Sequence, residues 1–333
     1  MHHLSIPIAI VCLALSLSSH ALSRATAAEP AKPPMQAYLE KLGFTAIPLE
    51  LKDNHHVLAG RLNGRSLKIM VDTGCSITTV STAVGKRLKS IEETGRILDD
   101  PVLGKLKSGD FKLIEELELG PVKLQLLPAR VSGLDSGGRR GEDMIIGMDF
   151  LMRFHCLIDC LELRLYLRAE ALPGPVTTAL RGTFEKSGFK LVPAPLSQQL
   201  VMTCAGRING EPVTWLVDTG FFNTTIDNVT LGRLKLPQEF TGWRAVGVGK
   251  TGSTKLRVTK LEEFDLGAVK HRWVDVGVAE LSNWRVGQGK DDLLKADGIL
   301  GMDQLVKHNS LIDCANGELW VHPGDADQKA QKR

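Results

Sequence analysis

Aromatic residues are scarce: Phe, Trp and Tyr make up 5% of the 333 positions, and only two are tyrosine. Aliphatic side chains must therefore build most of any core. A charge excess is also missing. Lys and Arg number 41 against 38 Asp and Glu, a formal +3, and no Lys/Arg run occurs. A nucleic-acid partner is not expected, because such binding needs a clustered basic footprint. No Cys-x-x-Cys pair is present, which argues against a zinc knuckle or a dithiol redox motif. Neither His-Glu-x-x-His nor Gly-x-Ser-x-Gly occurs, so zincin and nucleophile-elbow chemistry lack their spacing. No cofactor and no metal are expected.

Long apolar runs are absent apart from residues 6–17, which fall short of the about 20 residues of a membrane span. Ala25, Thr26 and Ala27 follow as a small-residue cleavage site, so residues 1–27 read as a secretory signal peptide. The mature chain is expected to be exported, to the periplasm or beyond the cell, without stable membrane association. Cleavage would remove Cys12 and leave Cys75, Cys156, Cys160, Cys204 and Cys314, an odd number with at least one thiol unpaired.

What is present is a repeat. Ala59-Gly-Arg-Leu-Asn-Gly64 returns as Ala205-Gly-Arg-Ile-Asn-Gly210, an offset of 146. At the same offset Val71-Asp-Thr-Gly74 matches Val217-Asp-Thr-Gly220, and Thr78-Thr79 matches Thr224-Thr225. Gly43-Phe44 pairs with Gly188-Phe189, and Glu115 to Gly120 with Glu262 to Gly267. Ile145-Ile-Gly-Met-Asp149 pairs with Ile299-Leu-Gly-Met-Asp303, and Leu157-Ile-Asp-Cys160 with Leu311-Ile-Asp-Cys314. The order is kept with small insertions, so the chain is a duplicated lobe. The expected organisation is an N-terminal segment 28–42, lobe 1 over 43–170, a linker over 171–187, lobe 2 over 188–323 and a disordered polar tail over 324–333.

Each lobe reads as β-rich. Residues 67–71 and 213–217 are strand-length runs ending in turn signals, and 113–119 and 256–266 alternate and end at Gly120 and Gly267 as hairpins do. Short helices are expected within 79–88 and 227–234, and better ones over 148–154 and 302–308. Residues 35–42 form an N-terminal helix or a short propeptide. His55 and His56 are expected to precede a strand and face solvent.

One Asp-Thr-Gly after an apolar strand is ordinary turn chemistry. Two copies at equivalent places of a duplicated lobe mean more, because pseudo-two-fold symmetry can bring Asp72 and Asp218 face to face. Two close carboxylates resist ionising together and share a proton over a wide pH range. The ionised member can take a proton from water while the protonated member donates to a carbonyl oxygen, which suits attack of water on an amide. Aspartic proteases are the standing example of that pattern.

The residues resemble the retropepsin-like aspartic protease lobe: apolar-apolar-Asp-Thr-Gly, then Ile-Ile-Gly or Ile-Leu-Gly 75 and 83 positions on, then a short helix. Retroviral enzymes of this group assemble the site from two identical chains; here both lobes lie in one. The resemblance implies an all-β fold of two homologous retropepsin- or pepsin-like β-barrel lobes, related by a pseudo-two-fold axis and carrying short helices. It implies an aspartic-type endopeptidase, a monomer, acting on an extended polypeptide substrate. Asp72 and Asp218 would be the catalytic dyad. Thr73 and Thr219 would hydrogen-bond across the axis, Gly74 and Gly220 would permit the tight turn, and Ile146-Gly147 and Leu300-Gly301 would pack beside each loop. Residues 242–252, and less clearly 98–109, would form flaps over the substrate. Cys75 and Phe221 stand where the family has Ala, Ser or Thr, and Phe221, followed by Phe222, predicts a reshaped second loop or a narrowed subsite. The alternative reading keeps the fold as a non-catalytic peptide-binding or scaffold module.

Overall fold

The computed structural model describes residues 34–323 except 92, 94–97, 101–103, 107–110, 133, 135–140, 246–253 and 282–295. The expected signal peptide and the tail 324–333 lie outside the described residues. Lobe 1 runs α1 (Pro34–Lys41), β1 (Thr45–Pro48), β2 (Glu50–Lys52), β3 (His55–Leu62), β4 (Arg65–Val71), β5 (Thr79–Ser81), α2 (Thr82–Gly85), β6 (Leu98–Asp100), β7 (Gly104–Leu106), β8 (Phe111–Leu119), β9 (Val122–Ser132), β10 (Met144–Ile146), α3 (Met148–Arg153), β11 (Leu157–Asp159) and β12 (Arg164–Leu167). Lobe 2 repeats the plan with α4 (Gly174–Lys186), β13 (Lys190–Pro193), β14 (Thr203–Ile208), β15 (Glu211–Val217), β16 (Thr225–Asp227), α5 (Asn228–Arg233), β17 (Glu239–Ala245), β18 (Thr254–Asp265), β19 (Lys270–Ala279), β20 (Gly298–Leu300), α6 (Met302–Lys307), β21 (Leu311–Asp313) and β22 (Glu318–Val321).

Local chemistry sets the hairpins. Asn63-Gly64 and Asn209-Gly210 all take left-handed backbone, φ 46°, 78°, 51° and 83°, which matches a two-residue loop to the twist of its strands. Strands β3-β4-β10-β5-β9-β8 close into a six-stranded barrel through a β3–β8 pairing, and β14-β15-β20-β16-β19-β18 close through β14–β18. In each long hairpin one residue turns left-handed, Leu126 at φ 56° and Trp273 at φ 60°. The ladder skips a pair there, and beyond the skip the partner strand, β8 or β18, also pairs with the first strand of its barrel, β3 or β14. The protein is mostly β, with two closed barrels and few short helices, as the sequence implies.

A third sheet joins the lobes in the order β1-β12-β11-β21-β22-β13. Its centre is the β11–β21 ladder, where Ile158 faces Ile312, so the pseudo-two-fold axis passes between two equivalent residues. One face of this sheet joins the main core through Ile158, Cys160, Ile312 and Cys314. The other face carries Leu157, Tyr166, Leu311 and Trp320 and is covered by Leu39 of α1 and by Leu180 and Phe184 of α4.

Two expectations are corrected. The linker span 171–187 is largely helical: α4 occupies most of it and is the counterpart of α1. Both helices end in the same motif: Gly43 and Gly188 at φ 86° and 92°, with Phe44 N–H donating to Leu39 O at 3.1 Å and Phe189 N–H to Phe184 O at 3.0 Å. The repeated unit is therefore helix plus lobe. Of the two readings of 35–42, the helix is present as α1 (Pro34–Lys41), packed on the joining sheet with Leu39 fully buried. His55 and His56 do not face solvent; they begin β3 and are 2% and 0% exposed. Helices α2, α3, α5 and α6 fall within the expected spans. Cys75, Cys156, Cys160, Cys204 and Cys314 are all free thiols. Among the described residues no helix is long and apolar enough to cross a membrane.

Candidate active site

Each Asp-Thr-Gly follows the second strand of its barrel, β4 or β15. Beside it runs a parallel strand, β10 or β20, whose last residue accepts from the aspartate N–H: Asp72 to Ile146 O at 3.0 Å and Asp218 to Leu300 O at 3.1 Å. Ile146 and Leu300 thus anchor the loops where the sequence placed them. Beyond Asp72 the chain turns over the carboxylate, and Gly74 N–H and Cys75 N–H donate to Asp72 Oδ1 at 2.8 and 3.1 Å. In the second loop Gly220 N–H donates to Asp218 Oδ1 at 2.7 Å.

The loops meet on the axis. Thr73 Oγ1 donates to Val217 O at 2.8 Å and accepts from Thr219 N–H at 3.0 Å. Thr219 Oγ1 donates to Val71 O at 2.9 Å and accepts from Thr73 N–H at 3.1 Å. Both hydroxyls are buried, so these four crossed bonds leave no orphaned polar group and lock one loop to the other. Gly74 and Gly220 serve this approach rather than a left-handed turn. A Cβ on Gly74 would lie 2.4 Å from Asp218 Cγ, and one on Gly220 would lie 2.2 Å from Asp72 Cγ. Gly147 and Gly301 also need their missing side chains, since a Cβ there would come within 2.7 Å of Cys75 O and 2.6 Å of the Asn223 carbonyl carbon.

Behind each loop stands a brace whose extent the sequence did not reveal. Asp149 Oδ1 accepts from Thr78 N–H and Oγ1–H, both at 2.7 Å, and Thr78 Oγ1 accepts from Gly147 N–H at 3.2 Å. The second copy is Asp303 with Thr224, at 2.6 and 2.8 Å, and Gly301 N–H on Thr224 Oγ1 at 3.0 Å. The repeated Thr-Thr pairs and the repeated Asp149 and Asp303 were the available signal.

The carboxyls of Asp72 and Asp218 face each other across the axis, each lying against the glycine of the opposite loop. Burial, then the neighbouring Asp72 charge, then hydrogen bonding with Asp72 push the Asp218 carboxyl well above the usual carboxylate range, against the donation of Gly220 and Phe221 N–H. Asp218 is 7% exposed, whereas Asp72 is half-buried. Cys75 Sγ donates to Ile77 O at 3.1 Å, and burial with the Asp72 charge pushes its pKa up, so it stays a thiol.

Phe221 does not reshape its loop. Phe221 N–H reaches Asp218 O at 3.4 Å and its carbonyl accepts from Met302 N–H at 2.9 Å. Cys75 makes the same pair with Asp72 O and Met148 N–H at 3.3 and 2.8 Å. The Phe221 ring packs against the cluster of Val201, Leu216, Leu281 and Ile299. Of the expected flaps, β17 and β18 form an antiparallel hairpin and β6 and β7 a smaller one; the tips 246–253 and 101–103 lie outside the described residues.

Among curated proteins none matches this sequence. Solved structures similar to the chain include a retropepsin-like aspartic protease from Rickettsia conorii. It is 17% identical over 40% of this chain and 89% of that one, with TM-score 0.29. Basic 7S globulin from soybean is 10% identical over 86% and 96%, with TM-score 0.48. The aspartic proteinase from Irpex lacteus is 14% identical over 85% and 98%, with TM-score 0.45. A family model described as aspartyl protease matches twice, over residues 58–150 and 204–304, together more than half of the sequence and once around each Asp-Thr-Gly. With one family unit in each lobe, the chain belongs to the aspartyl protease family.

Proposed function

We propose that the protein is an exported endopeptidase that hydrolyses extended polypeptides with the Asp72–Asp218 pair. The observation that carries this reading is the pair itself: two carboxyls facing each other across loops held by the crossed threonines, with one of them pushed toward its protonated form. Asp218 holds the shared proton and Asp72 is the base. Asp72 removes a proton from water as the water oxygen bonds to the amide carbon, and Asp218 gives its proton to the carbonyl oxygen. The resulting diol collapses as a proton returns to nitrogen and the C–N bond breaks. The β17–β18 and β6–β7 hairpins would close over the substrate and exclude bulk solvent, leaving the attacking water. A binding-only role gains nothing from two mutually repelling carboxyls, and the undistorted Phe221 loop removes the main argument for it.

The test is digestion of a peptide library by the wild type, Asp72→Asn and Asp218→Asn, with a hydroxyl-bearing transition-state mimic as a control. The wild type should cut and the mimic should stop it. Equal cutting by either variant would overturn the assignment. Export rests on the apolar run 6–17 and the Ala25-Thr26-Ala27 site. Sequencing the N-terminus of the protein from periplasmic and culture fractions should find it starting near Ala28.

A further inference from the structure

Two more bonds cross between the lobes near the dyad. Asn54, in the β2–β3 turn at φ 60°, donates its side-chain amide to the Phe222 carbonyl of the other lobe. Ser76 Oγ donates to the Gln199 carbonyl of the other lobe at 2.6 Å. Ser76 and Phe222 are equivalent positions, each four residues after its aspartate. The turns they meet are equivalent too: each leads into the first barrel strand, and Leu200 repeats the left-handed backbone of Asn54 at φ 56°. The bonds therefore form a pseudosymmetric pair, one on either side of the axis. Both donors are side chains of lobe 1 and both acceptors are main-chain carbonyls of lobe 2.

Their position decides what they can do. The crossed threonines and the β11–β21 ladder both tie the lobes on the axis itself. Ties on an axis resist separation but oppose rotation about it only through a short lever arm. The Asn54 and Ser76 bonds lie off the axis and block that rotation. Each loop is internally rigid, with Asp72 fastened by Gly74 and Cys75 N–H and braced through Thr78 and Asp149. Twisting one lobe against the other would therefore move one carboxyl relative to its partner.

We propose that Asn54 and Ser76 are positioning residues that fix the separation of Asp72 and Asp218, and with it how strongly the two carboxyls share their proton. This rests on the catalytic reading above. Coupled carboxyls lose protons in two steps that move apart as the groups approach. Activity belongs to the singly protonated pair, so the steps bound the active pH window. Loosening the clamps should bring the steps together and narrow the window from both sides. Among the described residues the titratable groups near the loops include the Cys75 thiol, Asp149 and Asp303 behind the loops, and His55, whose ring lies 6.5 Å from Phe222. All stay in place in the variants.

The experiment compares wild type with Asn54→Ala, Ser76→Ala, the double variant and Ser76→Thr. One readout is the pH profile of kcat/KM on fluorescein-labelled casein; the other, needing no substrate, is the carboxyl titration of 13C-aspartate-labelled protein. Each single variant should lose activity roughly tenfold or more. Both steps should converge by roughly half a pH unit or more in both readouts, and furthest in the double variant. Ser76→Thr, which keeps the hydroxyl, should keep the wild-type profile. Two steps as far apart in folded single variants as in the wild type would overturn the proposal, even if activity fell. Wild-type cutting by Asp72→Asn would instead overturn the catalytic reading, and the carboxyl titration would still decide the clamps.

Discussion

At the residue scale, the dyad explains why Gly74 and Gly220 have no side chain, since each Cβ would fall on the opposite carboxyl. Gly220→Ala should force Asp72 from its bonded position and cost roughly a hundredfold in kcat, measured on a cleaved peptide. Asp72→Asn and Asp218→Asn should each abolish cutting, because the two carboxyls act as a unit. Asp218→Asn should also change stability in a pH-dependent way. Folding raises the Asp218 carboxyl above its unfolded value of about 3.9, so the folded chain gives up stability as pH rises from there through the folded value. Asparagine carries no charge to bury. Its Tm should match the wild type near pH 3 and exceed it increasingly toward neutral pH, by about 2–4 °C for each kcal/mol recovered. A constant offset across that range would show that the buried charge is not the cause. The motif residues were legible because the duplication repeats them. The room needed by the facing carboxyl was not, because it depends on an atom 144 or 148 positions away.

At the element scale, the two barrels act as each other's control. His56 in β3 is fully buried with neither ring nitrogen partnered, whereas Met202 fills the equivalent place in lobe 2 and joins the core. Burial, then the neighbouring His55, lowers the His56 pKa to about 4. The unfolded chain therefore binds this proton near pH 6.5 and the folded chain only near 4. Stability should fall as pH drops through that interval, by about 3 kcal/mol at most, and change no further from this source below it. His56→Met should remove the loss and raise Tm at pH 4.5 more than at pH 7.5. An equal gain at both would mean better packing alone. The strand pattern around His56 carries no mark that separates a buried histidine from a surface one, so the sequence reading put it outside. Helix α4 was hidden similarly: Gly174-Pro175 reads as a break, yet proline in the first turn suits a helix start. The hairpins were legible through their alternation and their Asn-Gly and terminal glycine turns.

At the scale of the whole molecule, the repeat was legible through its offset, but the joining sheet was not. Its strands are three or four residues long, and β11 and β21 pair only because the lobes are already stacked about the axis. That sheet, the crossed threonines and the covalent path through α4 together supply what two separate chains would have to find by collision. Tethering sets the effective concentration of one lobe near the other at about the millimolar level, whatever the concentration of the protein. A site assembled from two chains would lose specific activity on dilution as its subunits parted. This chain should keep the same activity per mole across roughly a thousandfold dilution and sediment as a monomer throughout. A steep fall in specific activity, with sedimentation showing a dimer at the upper concentrations, would mean that a second copy completes the site despite both Asp-Thr-Gly loops being present in one chain.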